Sequence, residues 1–342
     1  MAADTARVER ERLDGGALRA RLLSWDTAVV FVTIVVILWA AATVPSFATG
    51  QNAVFLILDL FPLLLIALPM TLIIVTGEID LSVASTVGLS GAVMGWLWNQ
   101  GLSIETIIPL CVVLGALLGA VNGLFVTGFG LPSLAVTIGT LTLFRGLATV
   151  VLGDEAVVDW PFRYTSWVTG TIGGTSIPNV AIPLVLAALA FGVVLHATPV
   201  GRSLFVMGAN EEAARFGGTR IRMVKFWLYV VCGAVAALVG VYWTLRYSSA
   251  RGNNAVGLEL AVVASVLLGG VSIFGGRGTL WGVVAGALLL VSLQNALRLE
   301  DVSDDALQVV TGLLLIVSVL LPNALSGMRN AWARHRRAAV PG

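Results

Sequence analysis

The sequence predicts an all-α, polytopic membrane protein with about ten transmembrane helices and both termini on the cytoplasmic side. Three observations carry that reading. The 342 residues are 58% hydrophobic and 11% charged, against about 45–50% and about 25% in soluble domains. Apolar windows recur along the chain, each close to the about 20 residues that cross a hydrocarbon core. The basic residues collect in alternate connections, and that asymmetry sets orientation.

Taken in order, the first window is Thr27 to Val44, behind a polar segment, Met1 to Asp26, that holds Arg7, Arg10, Arg12, Arg19 and Arg21. A signal peptide would have a shorter charged region and an apolar run of about 7 to 15 residues. This run is longer and reads as an uncleaved first span with a cytoplasmic tail, residues 1–26. The next windows are Ala53 to Val75, Val83 to Trp98, Ile104 to Val126, Pro132 to Leu152 and Ala181 to Ala197. A polar stretch, residues 198–225, separates these from Phe226 to Leu245, Leu258 to Ile273, Thr279 to Leu297 and Ala306 to Leu321. The transmembrane domain therefore covers 27–323, and a basic cytoplasmic tail, 324–342, closes the chain.

With the N-terminus inside, the cytoplasmic segments hold the N-tail arginines, the cluster from Arg202 to Lys225, Arg277, and Arg329, Arg334, Arg336 and Arg337. Exterior segments hold Arg163, Arg246, Arg251 and Arg298, while Arg145 falls inside a span. Two glycine series at four-residue spacing, Gly115, Gly119, Gly123 and Gly278, Gly282, Gly286, read as seams where helix backbones approach closely.

Several function classes are excluded or disfavoured. A formal net charge of +1 gives no extended nucleic-acid surface. Cys111 and Cys232 sit in apolar runs as small hydrophobes, with no disulfide expected. His196 and His335 belong to no cluster with metal-ligand spacing, so no metal site is expected. A P-loop needs a lysine behind a glycine-rich turn, and the single lysine, Lys225, follows RIRMV. Serine-hydrolase, zincin and dinucleotide motifs are absent as well, so the chain by itself reads as no enzyme and no catalytic residue is assigned.

The stretch TGEIDLSVAS, Thr76 to Ser85, places Glu78, Asp80, Ser82 and Ser85 between two apolar runs with almost no loop. Val83 to Trp98 spans roughly 24 Å as a helix, less than the hydrocarbon core of about 30 Å. The joint is therefore expected to dip into the membrane, where irregular backbone persists only if protein buries it or water reaches it. Ionisable groups there point to a substrate pathway or a structural joint. A tight interfacial turn with solvated acids is the plainer alternative. Asp59 and Arg145 lie at similar depth, about 9 to 10 Å from the outer ends of their spans, and are expected to pair or to line one hydrated cavity. A faint internal echo relates LIIVTGEIDLSVASTVGLSGAVMG to VLLGGVSIFGGRGTLWGVVAGALL, each an apolar helix, a glycine-rich joint and a small-residue helix.

The decapeptide resembles the G-[GE]-I-D-L-S-V-[GA]-S signature of ribose-, galactoside-, xylose- and rhamnose-type permeases of bacterial ABC importers. TPVGRSLFVMGANEEAARFGGTRIR, Thr198 to Arg222, is similar to a cytoplasmic loop of the same family, with Gly201, Arg202, Gly208, Asn210, Ala213, Ala214 and Gly218 on the pattern. Further matches extend the resemblance over about residues 53 to 323. GEIDLSVAS and YSSARGNNAVGLEL are most similar to the rhamnose type. The resemblance implies a short coupling helix that docks on an ABC ATPase subunit. Its candidate coupling residues are Arg202, Gly208, Asn210, Glu211, Ala213, Ala214, Arg215 and Gly218. It further implies an extracytoplasmic solute-binding protein, a second permease copy or paralogue, ATP used by the partner with no cofactor on this chain, and the bacterial inner membrane as location. Local chemistry agrees with a helix there, with Asn210 as N-cap, Glu211 and Glu212 in the first turn and Gly217 or Gly218 at the end. The rival from another class is a stand-alone secondary transporter with Glu78 and Asp80 as proton or sodium ligands.

Overall fold

The computed structural model describes residues 25–153 and 155–320. Nearly all of the N-terminal tail and the whole C-terminal tail read from the sequence lie outside the described residues. Within them the helices are α1 Trp25–Thr43, α2 Gly50–Val75, α3 Val83–Asn99, α4 Ile104–Gly123, α5 Ser133–Leu152 and α6 Phe162–Thr169. There follow α7 Ala181–Ala197, α8 Pro199–Ala209, α9 Glu211–Phe216, α10 Ile221–Tyr247, α11 Leu258–Leu268 and α12 Leu280–Leu299, then α13 over residues 304–320. Among the described residues, β-type pairing is limited to two isolated bridges, Val157 with Ala250 and Thr171 with Pro178. Six helices are long and apolar enough to cross a membrane, and α7 with α8 passes the same test as a pair bent by 66°. The chain is an all-α, multi-pass membrane protein.

Helix α2 is the centre of the bundle, buried almost continuously from Leu58 to Val75, as expected of a helix that is apolar all round. Pro62 in its middle has no N–H for the Leu58 carbonyl four residues earlier. The Tyr242 hydroxyl donates to that carbonyl at 2.6 Å instead, tying α2 to α10. By contrast α1 rests on α12 and leaves Phe31, Ile34, Leu38 and Trp39 exposed, an apolar face suited to lipid.

Both glycine series are packing seams. A Cβ on Gly119 of α4 would stand 2.1 Å from the Tyr229 carbonyl oxygen of α10, and one on Gly115 would stand 2.3 Å from that of Gly233. Gly286 of α12 meets α11 in the same way, against the Ser265 carbonyl, and Gly282 meets the C-cap of α11, against the Gly269 carbonyl. The two echoed joints also meet, because the Gly276 N–H donates to the Val75 carbonyl at 2.9 Å.

Several expected boundaries move. Helix α10 begins at Ile221, not Phe226, so Lys225 belongs to a helix and not to a loop. Helix α11 stops at Leu268, and the turn that follows uses Gly270 at φ 86°, a backbone state that side chains disfavour. Residues expected in a polar loop form α8, and α4 widens into a π turn over Leu124–Gly128. The short α6 lies in none of the apolar windows.

Candidate translocation and coupling site

The joint after α2 is built by short-range chemistry. Gly77 takes φ 82° and turns the chain, and the Thr76 hydroxyl donates to the Ile73 carbonyl at 2.7 Å. Asp80 is 1% exposed. Its Oδ1 accepts from the Ser82 N–H at 2.9 Å and from the Ser82 hydroxyl at 2.7 Å. The Asn122 side-chain amide of α4 donates to Ser82 Oγ at 2.7 Å, and the Ser85 hydroxyl donates to the Ser82 carbonyl at 2.8 Å. A buried carboxyl group thus organises the entry to α3 and ties it to α4, as a buried polar group must be satisfied locally. Asp80 makes an Asx-type turn with Ser82, just ahead of α3, and does not reach the amides of the first helical turn.

Glu78 has its partner outside this cluster. Lys225 Nζ lies 2.7 Å from Glu78 Oε1 and 3.1 Å from Glu211 Oε2, with the lysine side chain 8% exposed. Sequence reasoning placed Lys225 among loop cations. The signal that identifies it is helical spacing, since Ile221, Lys225 and Tyr229 stand four apart on one buried stripe.

Helix α8 opens with the Thr198 hydroxyl accepting from the Gly201 N–H at 3.3 Å and Pro199 in its first turn, a preorganised start. It ends with Gly208 pressed onto the joint, where a Cβ would stand 1.9 Å from the Val75 carbonyl oxygen and 2.3 Å from the Gly276 nitrogen. Helix α9 follows directly. Asn210 Oδ1 accepts from the Ala213 N–H at 2.9 Å, Glu211 and Glu212 occupy the first turn, and the chain leaves through Gly217 and Gly218, the latter at φ 81°. Of the small pair expected to face a partner, Ala213 is exposed, whereas Ala214 is buried against the bundle. Arg202 and Arg215 are exposed, and Phe216 at the end of α9 is 87% exposed.

The expected Asp59–Arg145 pair is not formed. Asp59 pairs with Arg246 at 2.8 Å and Arg298 at 3.5 Å. Arg145 donates to the carbonyls of Asn254 at 2.6 Å, Gly252 at 3.1 Å and Ala84 at 3.2 Å. Asp59 borders a cavity of about 130 Å³ with Trp243, Tyr247, Gln294, Asn295 and Arg298, and Arg145 is not in the wall of that cavity. Residue counting fixes depth along a helix, while the direction around its axis depends on packing. Arg145 instead clamps the irregular segment 248–257 against α3, where Gly88 leaves the room: a Cβ there would stand 2.5 Å from Arg145 Nη1.

The family described as branched-chain amino acid transport system, permease component, matches residues 52–319, a range that contains the joint, α8, α9 and both glycine seams. The chain belongs to this family. The permease is 34% identical over 321 residues to the ribose import permease RbsC of Bacillus subtilis, covering 94% of this chain and 98% of the relative. With the ribose import permease RbsC of Haemophilus influenzae it shares 31% identity over 299 residues, covering 86% and 92%. With the L-arabinose ABC transporter permease AraH of Azospirillum brasilense it shares 32% over 320 residues, covering 92% and 93%. No solved structure matches the permease. It is a multi-pass membrane component of an importer of the ABC class, and not an enzyme in its own right.

Proposed function

We propose that the permease forms the path by which a monosaccharide-like solute crosses the bacterial inner membrane, driven by separate ATPase subunits that grip α8 and α9. The solute comes from an extracytoplasmic binding protein, and a second permease copy or a paralogue completes the path. ATP is held by the ATPase, and this chain binds no cofactor. The single observation that carries the reading is the junction at Gly208, where the end of α8, directly ahead of the α9 N-cap, rests on both echoed joints at once. A partner holding α9, through exposed Ala213 and Phe216, would therefore hold both halves of the bundle. Asp80, Ser82 and Ser85 belong to the element that responds, at the start of α3. The names of the ribose and L-arabinose relatives support a sugar, and the GEIDLSVAS stretch makes L-rhamnose the first candidate.

The test is uptake by proteoliposomes that contain the permease with its co-expressed ATPase and binding protein, offered labelled L-rhamnose, D-ribose and L-arabinose. Uptake of one of them that needs internal ATP and the binding protein, and survives a protonophore, is the expected result. Uptake without ATP that a protonophore abolishes would instead identify an ion-coupled carrier, with Glu78 and Asp80 as the ion ligands.

A further inference from the structure

Lys225 is the only lysine in the chain, and the fold buries it at the foot of α10 between carboxylates from two distant segments. Glu78 comes from the joint between α2 and α3, and Glu211 from the first turn of α9. An ammonium has three donors and no acceptor, so one lysine can serve both. Ion pairs on an open surface contribute little, as at Arg215–Glu211, 3.7 Å apart with the arginine side chain 72% exposed. Pulling a buried lysine from its counter-charge leaves an uncompensated ion, which is strongly unfavourable. Within the bridge the Lys225–Glu78 half, with side chains 8% and 18% exposed, is the one that strongly resists being broken, while Glu211, 48% exposed, adds a weaker hold that gives α9 a charged partner fixed to the joint.

Backbone contacts support the same connection independently. Gly208, two residues ahead of the α9 N-cap, is in contact with Val75 at the end of α2 and with Gly276 of the second joint. On the far side of the bridge, Asp80 follows Glu78 by two residues and holds Ser82, which in turn holds Asn122 of α4. Ile79 between them is fixed as well: its N–H donates to Ser133 Oγ of α5 at 3.2 Å, and its carbonyl accepts from the Tyr229 hydroxyl at 3.5 Å. Both ends of the bridge are thus ordered units. Displacement passes between units of that kind, and a flexible loop would absorb it.

We propose that Lys225 is a positioning residue that clasps α9 to the Glu78–Ser82 joint, so that movement of α9 by the ATPase reaches α3 and α4 through Glu78, Asp80 and Ser82. The inference rests on the reading of α8 and α9 as the ATPase-contacting segment. Lys225 has no role in the chemistry of ATP or solute. It converts a displacement at the rim of the bundle into one at the joint, and so lets the ATPase favour one arrangement of the path over another.

The experiment uses the assembled importer in proteoliposomes with whichever of L-rhamnose, D-ribose and L-arabinose the wild type takes up. Sugar imported per ATP hydrolysed and ATPase retained on the permease are measured for Lys225→Gln, Lys225→Arg, Glu78→Gln and the double variant Glu78→Gln/Lys225→Gln. Lys225→Gln should lower import per ATP by about 5- to 150-fold, the range of ordinary coupling between sites, with the ATPase still bound. Glu78→Gln should act in the same direction, Lys225→Arg should restore most of the ratio, and the double variant should be no worse than Lys225→Gln. A wild-type ratio in Lys225→Gln, full additivity in the double variant, or release of the ATPase by Lys225→Gln each overturns the proposal. Should Lys225→Gln fail to insert, an inserted Glu78→Gln importer with an unchanged ratio overturns it equally. Failure of the underlying reading looks different: wild-type import then proceeds without ATP, or an Ala213→Arg permease keeps both its ATPase and its full ratio.

Discussion

Asp80 and Glu78 are neighbours in sequence with opposite surroundings, and their substitutions should differ accordingly. Asp80→Ala removes the acceptor for the N–H and the hydroxyl of Ser82 in a buried site, and each orphaned polar group costs about 1–3 kcal/mol. The expected outcome is a lower membrane level and lower uptake than Glu78→Gln gives, measured by quantitative blotting and vesicle transport. Normal levels and normal uptake for Asp80→Ala would remove this cluster from any account of the protein. Asp59 allows a second test. Asp59→Asn leaves Arg246, 9% exposed, without its closest counter-charge, and breaking such a pair costs about 3–5 kcal/mol. Thermal unfolding in detergent should show that loss, and it should add to the loss from Arg145→Gln, because the two residues have separate partners. A direct pair would make the two effects non-additive.

Among the elements, the seam between α4 and α10 allows the sharpest comparison. Gly119→Leu must displace the α10 backbone at Tyr229, and overpacking of this kind costs about 1–3 kcal/mol or more. Gly139→Leu in α5 is the control, with nothing within 4 Å of its added Cβ. Fluorescence-detected size exclusion after heating should show early loss of the first variant and wild-type behaviour of the second. For α9 the expectation is functional. Ala213→Arg places a bulky charge on the exposed face of a six-residue helix, so the permease should insert normally yet either release the ATPase or hydrolyse ATP without import. The caps of α9 and both seams were legible in the sequence because capping and four-residue spacing act within a turn or two of helix. The starts of α8 and α10 were not, since polar residues on the outer face of a helix end resemble a loop when only hydropathy is read.

At the scale of the whole molecule, the basic-residue asymmetry predicts that α9 and the α12–α13 connection lie on opposite sides of the membrane. Single cysteines at Glu212 and Ser303, both exposed, test this against a background in which Cys111 and Cys232 are buried. Ser303→Cys should react with an impermeant maleimide on intact cells and Glu212→Cys only after permeabilisation; the reverse pattern inverts the topology. The sequence by itself determined the membrane class, the order of apolar helices, the acidic joint, the α9 caps and the glycine seams. Each of these is written in composition or in spacings shorter than two helical turns. Only the tertiary structure decided that Lys225 joins Glu78 to Glu211, that Asp59 meets Arg246 and Arg298, that Arg145 grips a carbonyl-lined segment, and that Ala214 turns inward. Those pairings depend on the direction each side chain takes around its helix axis and on which helices pack together, and neither is set until the backbones have closed on their glycine seams.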